Sequence, residues 1–510
     1  MKRIYLLLAL PLLLTFLLGS PMILNGDFFY LADQARDYLL TKDIIYNNHL
    51  TLIGTHSGLG GFFHGPVWLY MLVPVYIIGG GNPIIFAYFY IFLALVTVFM
   101  GFIVGKKLYN TWIGLLIAFI FSISSSIWPY VPNTIGINPV PLIYLLIFYF
   151  LIKFIRGDDK SVIFSSFFVG LTLQFETAAA LVLIPVFVLT VLVFRFGVIK
   201  RIKIILLSIF SFLLSISSFF LFDLRHQFLM TKSLLNINEG MGKTSGYLEF
   251  SERVYAHLNS LKGVVTSVNF SNNVFLLVIV LLIIVSGLWI SWNKYKKNKV
   301  VMKEYGILIF VPLAIFIAFL KYPYPIYHDY VLGLTIPMAL LVGLSAKNLW
   351  KFQLGKVLVI LFIGVNSILA IQHIIELYSN YTPNQTAGSY KNQLEVIDWI
   401  FTDAKGNEFG YFVYDPTTYT YGMDYLMEWR GKQNSYIPDS YKHSVTYLIL
   451  YPPLDNDHGA HTFWKKNVIN THATVTERKE FRGGIVVEKL RIEETEESEN
   501  PNYHQNLIFR

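Results

Sequence analysis

Apolar runs of helical length recur through the first 373 residues of this sequence, and no other feature narrows its fold as far. After a first run that follows Lys2 and Arg3 and continues to Ile23, they fall at about 66–80, 84–105, 112–128, 136–152, 161–174, 177–194, 203–222, 273–291, 305–320, 328–345 and 356–373. An α-helix needs roughly 17–25 predominantly apolar residues to cross bilayer hydrocarbon. The chain is therefore expected to be an α-helical polytopic membrane protein of about 11–13 transmembrane helices. Only 14% of its residues are charged, against about 25% in soluble domains, and the mean hydropathy is +0.53. The first run starts like a signal peptide but has no small-x-small cleavage pattern, so it reads as a retained helix. Cysteine is absent, which excludes disulfides, thiolate nucleophiles and cysteine metal sites.

Charge divides the chain in two. Residues 1–383 carry 27 Lys and Arg against 14 Asp and Glu, whereas residues 384–510 carry 13 against 18. Nineteen of the 27 cations fall in Lys2/Arg3, Lys106/Lys107, Lys153/Arg156/Lys160, Arg195/Lys200/Arg201/Lys203, Lys294/Lys296/Lys297/Lys299/Lys303 and Lys347/Lys351/Lys356. By the positive-inside rule these loops are cytoplasmic. The amino terminus is then inside, and loops 24–65 and 223–270, with everything after 374, lie outside. One inconsistency remains, because 64–105 looks like two spans but must cross an odd number of times. Either 64–80 enters without crossing, or Lys106/Lys107 breaks the charge rule.

Between the first two runs lies the most informative stretch, Asp27 to Tyr70. Over Asp33–Asn48 the residues Leu39, Leu40, Ile44 and Ile45 fall on one side of a helical wheel and most charges on the other, predicting a helix along the membrane surface. Asp33, Arg36 and Asp37 share a face of it, since residues three and four apart are neighbours. Charges held at an outer membrane boundary are functional suspects, and Asp33, Glu176, Arg225 and Asp329 are the ones so placed.

From about Tyr390 a soluble pattern begins. Asn392–Phe401 reads as an amphipathic helix, Tyr411–Tyr414 and Thr446–Tyr451 as strands, and Thr474–Glu480 with Gly484–Leu490 as a hairpin. A small extracytoplasmic α/β domain over 384–490 is expected, followed by an acidic, disordered tail over 491–510.

Many helices, an acidic outer loop and an outer α/β domain suggest chemistry on a lipid-linked substrate. Glycosyl transfer from a polyprenyl phosphate needs one carboxylate to take the acceptor hydroxyl's proton and cations to hold the departing phosphate. Arg225 and His226, in Phe222-Asp223-Leu224-Arg225-His226, and Lys321 are the expected phosphate-holding residues, because a guanidinium fork matches phosphate geometry. Tyr324 and Tyr327 are candidates to stack on a sugar, although Tyr is also an ordinary residue of membrane interfaces. His49, His56 and His64 span a Gly-rich loop that does not fix them on one face. No metal site and no cofactor is assigned, and a divalent ion on Asp33 is left open.

The order Asp33-Gln34-Ala35-Arg36-Asp37-Tyr38, then His64-Gly65-Pro66-Val67-Trp68-Leu69-Tyr70, then an apolar run closed by Lys106-Lys107-Leu108-Tyr109, resembles the amino-terminal half of the GT-C glycosyltransferases. The likeness is to the branch of dolichyl-phosphate-mannose protein mannosyltransferases and the lipid A aminoarabinose transferase. It covers roughly residues 1–225, with similarity of order to about 375. It implies an inverting transferase at the extracytoplasmic face of the cell membrane, acting on a polyprenyl-phosphate-linked sugar and a lipid, glycan or protein acceptor. It further implies that Asp33 is the catalytic or acceptor-binding acid and that His64 and Pro66 mark a helix entry. Arg36, Asp37 and Glu176 would support it. Gln34 replaces the usual Glu and Gly65 the first Pro. Two rivals are a flippase of lipid-linked glycans, which should place charges near the midplane and show repeated halves, and a polysaccharide ligase or polymerase using a polyprenyl diphosphate.

Overall fold

The computed structural model describes residues 2–57, 62–124, 132–236, 247–295, 299–417, 419–453 and 459–493. The acidic tail from residue 494 and the turn 125–131 lie outside them. In chain order, α1 (Lys2–Leu24), α2 (Ala32–Tyr46), α3 (Val67–Gly79), α4 (Pro83–Leu108), α5 (Thr111–Ile123), α6 (Val140–Ile155), α7 (Ser161–Thr172) and α8 (Thr177–Arg195) lead to α9 (Ile202–Ser215) and α10 (Ser217–Arg225). There follow α11 (Leu229–Leu235), α12 (Phe250–Thr266), α13 (Val274–Tyr295), α14 (Lys299–Phe319), α15 (His328–Val331), α16 (Thr335–Leu349) and α17 (Gln353–Ser379). Among the described residues seven helices are long and apolar enough to cross a membrane, α9 and α10 form a further pair bent by 64°, and α3, α5, α6 and α7 are shorter apolar helices.

The ends of α3 remove the inconsistency in the charge pattern. At its start Trp68 donates to Asp37 of α2. Just past its end, at the left-handed Gly80, the Gly81 carbonyl accepts from Tyr425 of the sheet domain. Both ends thus lie at the face that carries that domain. Residues 64–80 therefore begin and end at one face without crossing, and α4 carries Lys106 and Lys107 to the opposite, basic face. With α9 and α10 taken as one bent span, eight segments among the described residues are long and apolar enough to cross, and α5, α6 and α7 are shorter apolar helices beside them.

The kink between α9 and α10 is held from the side. Bending frees backbone acceptors that a straight helix would pair. The buried Gln174, in the turn between α7 and α8, donates to the Ser215 carbonyl at 2.9 Å and to Ser218 at 3.1 Å.

The sheet domain comprises α18 (Tyr390–Ala404), β1 (Gly410–Tyr414), α19 (Tyr421–Gln433), β2 (Val445–Leu450), α20 (Ala460–Asn467), β3 (Thr474–Glu480) and β4 (Val486–Arg491). The strand order is β1-β2-β4-β3, with β1 parallel to β2 and the other pairs antiparallel. Alternation along the central strands sends Tyr411, Val413, Tyr447 and Ile449 into the main core, and Phe412, Leu448 and Leu450 against Trp464 of α20. This explains why those strands read as unbroken apolar runs.

The two parts are laced together just before α2. Gly26 and Phe28 accept from the backbones of Lys391 and Tyr390, and Tyr30 donates to Gly388. The fully buried Asp27 accepts from Tyr381 and Ser389. Alongside α2, Lys42 pairs with Glu428 of α19. α2 is consequently sandwiched between α3 and α19 with Gln34, Asp37 and Thr41 buried. The polar side that was expected to face water is thus covered by protein at Gln34, Asp37 and Thr41, while Asp33 stays exposed.

Candidate active site

α2 begins with a polar cap. Gln34 turns back to accept from the Leu31 backbone N–H at 2.7 Å, as the usual Glu would at this position of a capping box. The next turn builds an ion-pair cluster. Arg36 Nη1 meets Asp33 Oδ1 at 2.7 Å, and Arg36 Nη2 and Nε donate to Asp37 Oδ1 at 3.2 and 3.3 Å. The other Asp37 oxygen accepts from Trp68 Nε1 at 2.8 Å. The exposures grade the roles: the Asp33 side chain is 69% exposed, Arg36 23% and Asp37 3%. Asp37 is an anchor, and Asp33 is the carboxylate free to meet a substrate.

This cluster forms one wall of a cavity of about 710 Å³. A second wall is the pairing of 54–57 with 62–65, in which Gly54 donates to His64 and His64 to Thr55. Gly65 donates to the Gln174 carbonyl, and a Cβ on Gly65 would stand 1.6 Å from Gln174 Oε1. A side chain at 65 is therefore sterically barred. Glu176 caps α8 by accepting from Ala178 N at 3.1 Å. Asp329 and the rings of Tyr322, Tyr324, Tyr327 and Tyr330 close the far side.

Burial controls the titration of these groups. It pushes the Asp37 carboxyl up to about 6, against the pull of the Arg36 charge. It depresses His64 to about 4, with Arg36 acting in the same direction, so this ring is neutral at pH 7. It raises Glu176 to about 7. A carboxyl whose folded pKa lies above its unfolded value binds more protons folded than unfolded, so its contribution to stability falls as pH rises between the two values. For Glu176 that window runs from about 4.5 to about 7. Glu176→Gln, which keeps an acceptor for Ala178, should therefore raise the thermal unfolding midpoint relative to wild type at pH 8. The underlying gain is on the order of 3 kcal/mol, and at pH 4 the two midpoints should coincide. Equal differences at both pH values would show that Glu176 carries no such shift.

The expected site residues divide cleanly. Asp33, Arg36, Asp37, His64, Glu176, Tyr324 and Tyr327 all line the cavity. Arg225, His226 and Lys321 are exposed and are not among its lining residues. The helix that carries Arg225 turns Phe219 and Phe222 inward onto Ile53 and Phe63, and His226 stacks on Phe222 at 4.1 Å. Asp223 does not pair with Arg225 but accepts from Met230 and Thr231 at the start of α11. Arg36 is the one Lys or Arg among the lining residues described. Trp68, Tyr322 and Tyr330 were not singled out from the sequence. Trp68 stood in the quoted His64–Tyr70 motif, and its indole at the polar start of an apolar run was the available signal. Among the described residues no group of three or more His, Asp or Glu is arranged to hold a metal ion.

No protein-family model matches the sequence, and neither does any curated protein. Solved structures do. The crystal structure of ArnT from Cupriavidus metallidurans bound to undecaprenyl phosphate is similar to this chain with a TM-score of 0.59 at 11% identity, over 98% of this chain and 99% of that one. Its apo state is similar with a TM-score of 0.58 at 12% identity, over 96% and 98%. The correspondence runs through the helical bundle and the sheet domain alike, and the chain has the fold of the GT-C glycosyltransferases.

Proposed function

We propose that this protein is an integral-membrane, inverting glycosyltransferase that moves a sugar from a polyprenyl phosphate to an acceptor hydroxyl. The observation that carries this reading is the Asp33–Arg36–Asp37 cluster. It sets one accessible carboxylate and one guanidinium side by side in a cavity of about 710 Å³, within the fold of a protein crystallised with undecaprenyl phosphate.

Asp33 takes the proton of the acceptor hydroxyl as its oxygen bonds to the anomeric carbon. The bond from that carbon to the phosphate oxygen breaks, and its electron pair leaves with the phosphate. A guanidinium has five N–H donors; Asp37 engages two of those on Arg36, and the Asp33 carboxylate lies 2.7 Å from its Nη1 as an ion pair. The donors that Asp37 leaves over suit a phosphate. This assigns to Arg36 the grip first expected of Arg225, His226 and Lys321. Neutral His64 and the tyrosine rings line the sugar's side, where aromatic faces and hydroxyls meet. The cavity faces the extracytoplasmic side and the amino terminus the cytoplasm, as the basic loops require. The domain over 384–490 frames the acceptor's approach.

Membranes containing the protein and a labelled polyprenyl phosphate sugar test this directly. Label should appear on a new acceptor, and Arg225→Ala and Lys321→Ala should each retain transfer within about threefold, as surface substitutions do. Label that crosses the bilayer while staying on its original carrier would replace the transferase with a flippase.

A further inference from the structure

The aromatic wall of the cavity hangs on the segment 320–327, which joins α14 to α15 and supplies Tyr322, Tyr324 and Tyr327. Within the cavity Tyr330 packs on Tyr322 and Tyr327 of that segment. The segment's other support comes from behind, at the start of α12. Arg253 Nη1 donates to the Leu320 carbonyl at 2.9 Å and Nη2 to the Leu248 carbonyl at 3.1 Å. The Leu248 N–H donates in turn to the Pro323 carbonyl at 2.8 Å. The guanidinium lies over the Tyr247 ring at 6.0 Å, and His257, one turn on, is buried. Arg253 thus ties the start of the turn that presents the tyrosines to the Leu248 segment, which itself bonds to Pro323 within that turn. Along the same wall Tyr322 meets Tyr324 at 5.4 Å and Tyr330 at 6.1 Å, edge to face. A shift of the turn would move these rings as a group.

Building on the transferase reading, we propose that Arg253 is a positioning residue that holds the 320–327 turn and with it the tyrosine wall against the sugar ring of the donor. Arg253 is not among the cavity-lining residues, so it acts on the sugar only through those rings. A lysine there offers a single ammonium and cannot donate to both carbonyls in the fixed fork geometry that arginine has.

The test compares two ligands on the full-length protein in detergent: polyprenyl phosphate mannose, and the same polyprenyl phosphate without sugar. Arg253→Ala should weaken binding of the sugar-bearing lipid by about tenfold, the scale of a lost aromatic contact. The bare lipid should bind within twofold of wild type, which also reports that the variant is folded. Tyr324→Ala should show the same selective loss, and the double variant should be no weaker than either single one, since both remove one interaction. Arg253→Lys should fall between wild type and Arg253→Ala, and it carries the comparison if the alanine variant does not fold. Equal losses for both lipids would mean that Arg253 grips phosphate, and additive losses would mean that it and Tyr324 act independently; either overturns the proposal. If wild type binds neither lipid, the transferase reading itself falls, and this inference with it.

Discussion

Asp33→Asn is expected to lower sugar transfer at least about a hundredfold, the scale of a general base removed from the transition state, while leaving donor affinity within a few-fold of wild type. Asparagine preserves the shape of the side chain, and its carboxamide oxygen can still lie beside Arg36 Nη1, where the Asp33 carboxylate stands at 2.7 Å. What it cannot do is take a proton. The side chain is 69% exposed, so the substitution disturbs no packed core and the thermal midpoint should not move. The measurement is steady-state transfer with the acceptor varied, alongside binding of the donor. A variant as active as wild type would displace the base to another carboxyl of the cavity, and Glu176 and Asp329 are the remaining ones lining it besides the anchored Asp37.

The reason Asp33, Arg36 and Asp37 were legible before any coordinates is that their relation is local. Positions three and four apart on a helix must be neighbours, and only the helix had to be right. The partner that completes the cluster was not legible. Trp68 reaches Asp37 because α3 begins and ends at the same face, a path that charge counting had left as one of two alternatives. Glu176 and Asp329 could be named as boundary charges, but their convergence on one cavity depends on how α8 and α15 pack. For Arg225 and Lys321 the same sorting by side was insufficient: it locates a residue along the membrane normal and says nothing about which way around the bundle its side chain faces. α19 escaped for a further reason. Asp424 in its first turn is buried, accepting from Tyr411 and Thr420, and a helix that buries a satisfied carboxylate shows no clean apolar period. Its contact with α2 in turn explains why part of the polar side of α2 is not solvated.

Arg36→Met is expected to produce two losses that can be separated. The first is stability. Asp37, 3% exposed, would retain only the Trp68 N–H, and a carboxylate left buried without its cation costs about 3 kcal/mol. That cost should grow as pH rises through about 6, where the Asp37 carboxyl gives up its proton in the folded protein, and should shrink below pH 5, where it is neutral in the fold. The second loss is catalytic. Without the guanidinium's N–H donors for the departing phosphate, transfer should fall by about 10²–10³, as when a preorganised donor is removed from a developing charge. Adding Asp37→Asn to Arg36→Met takes the buried charge away and should restore the thermal midpoint at pH 8 to within about 1 kcal/mol of wild type, because removing both partners of a buried pair is far cheaper than removing one. Transfer should stay low in that double variant. If transfer recovers together with stability, Arg36 serves only to neutralise Asp37, and the phosphate is held by a cation outside the cavity lining, for which Arg225 and Lys321 are then the residues to replace.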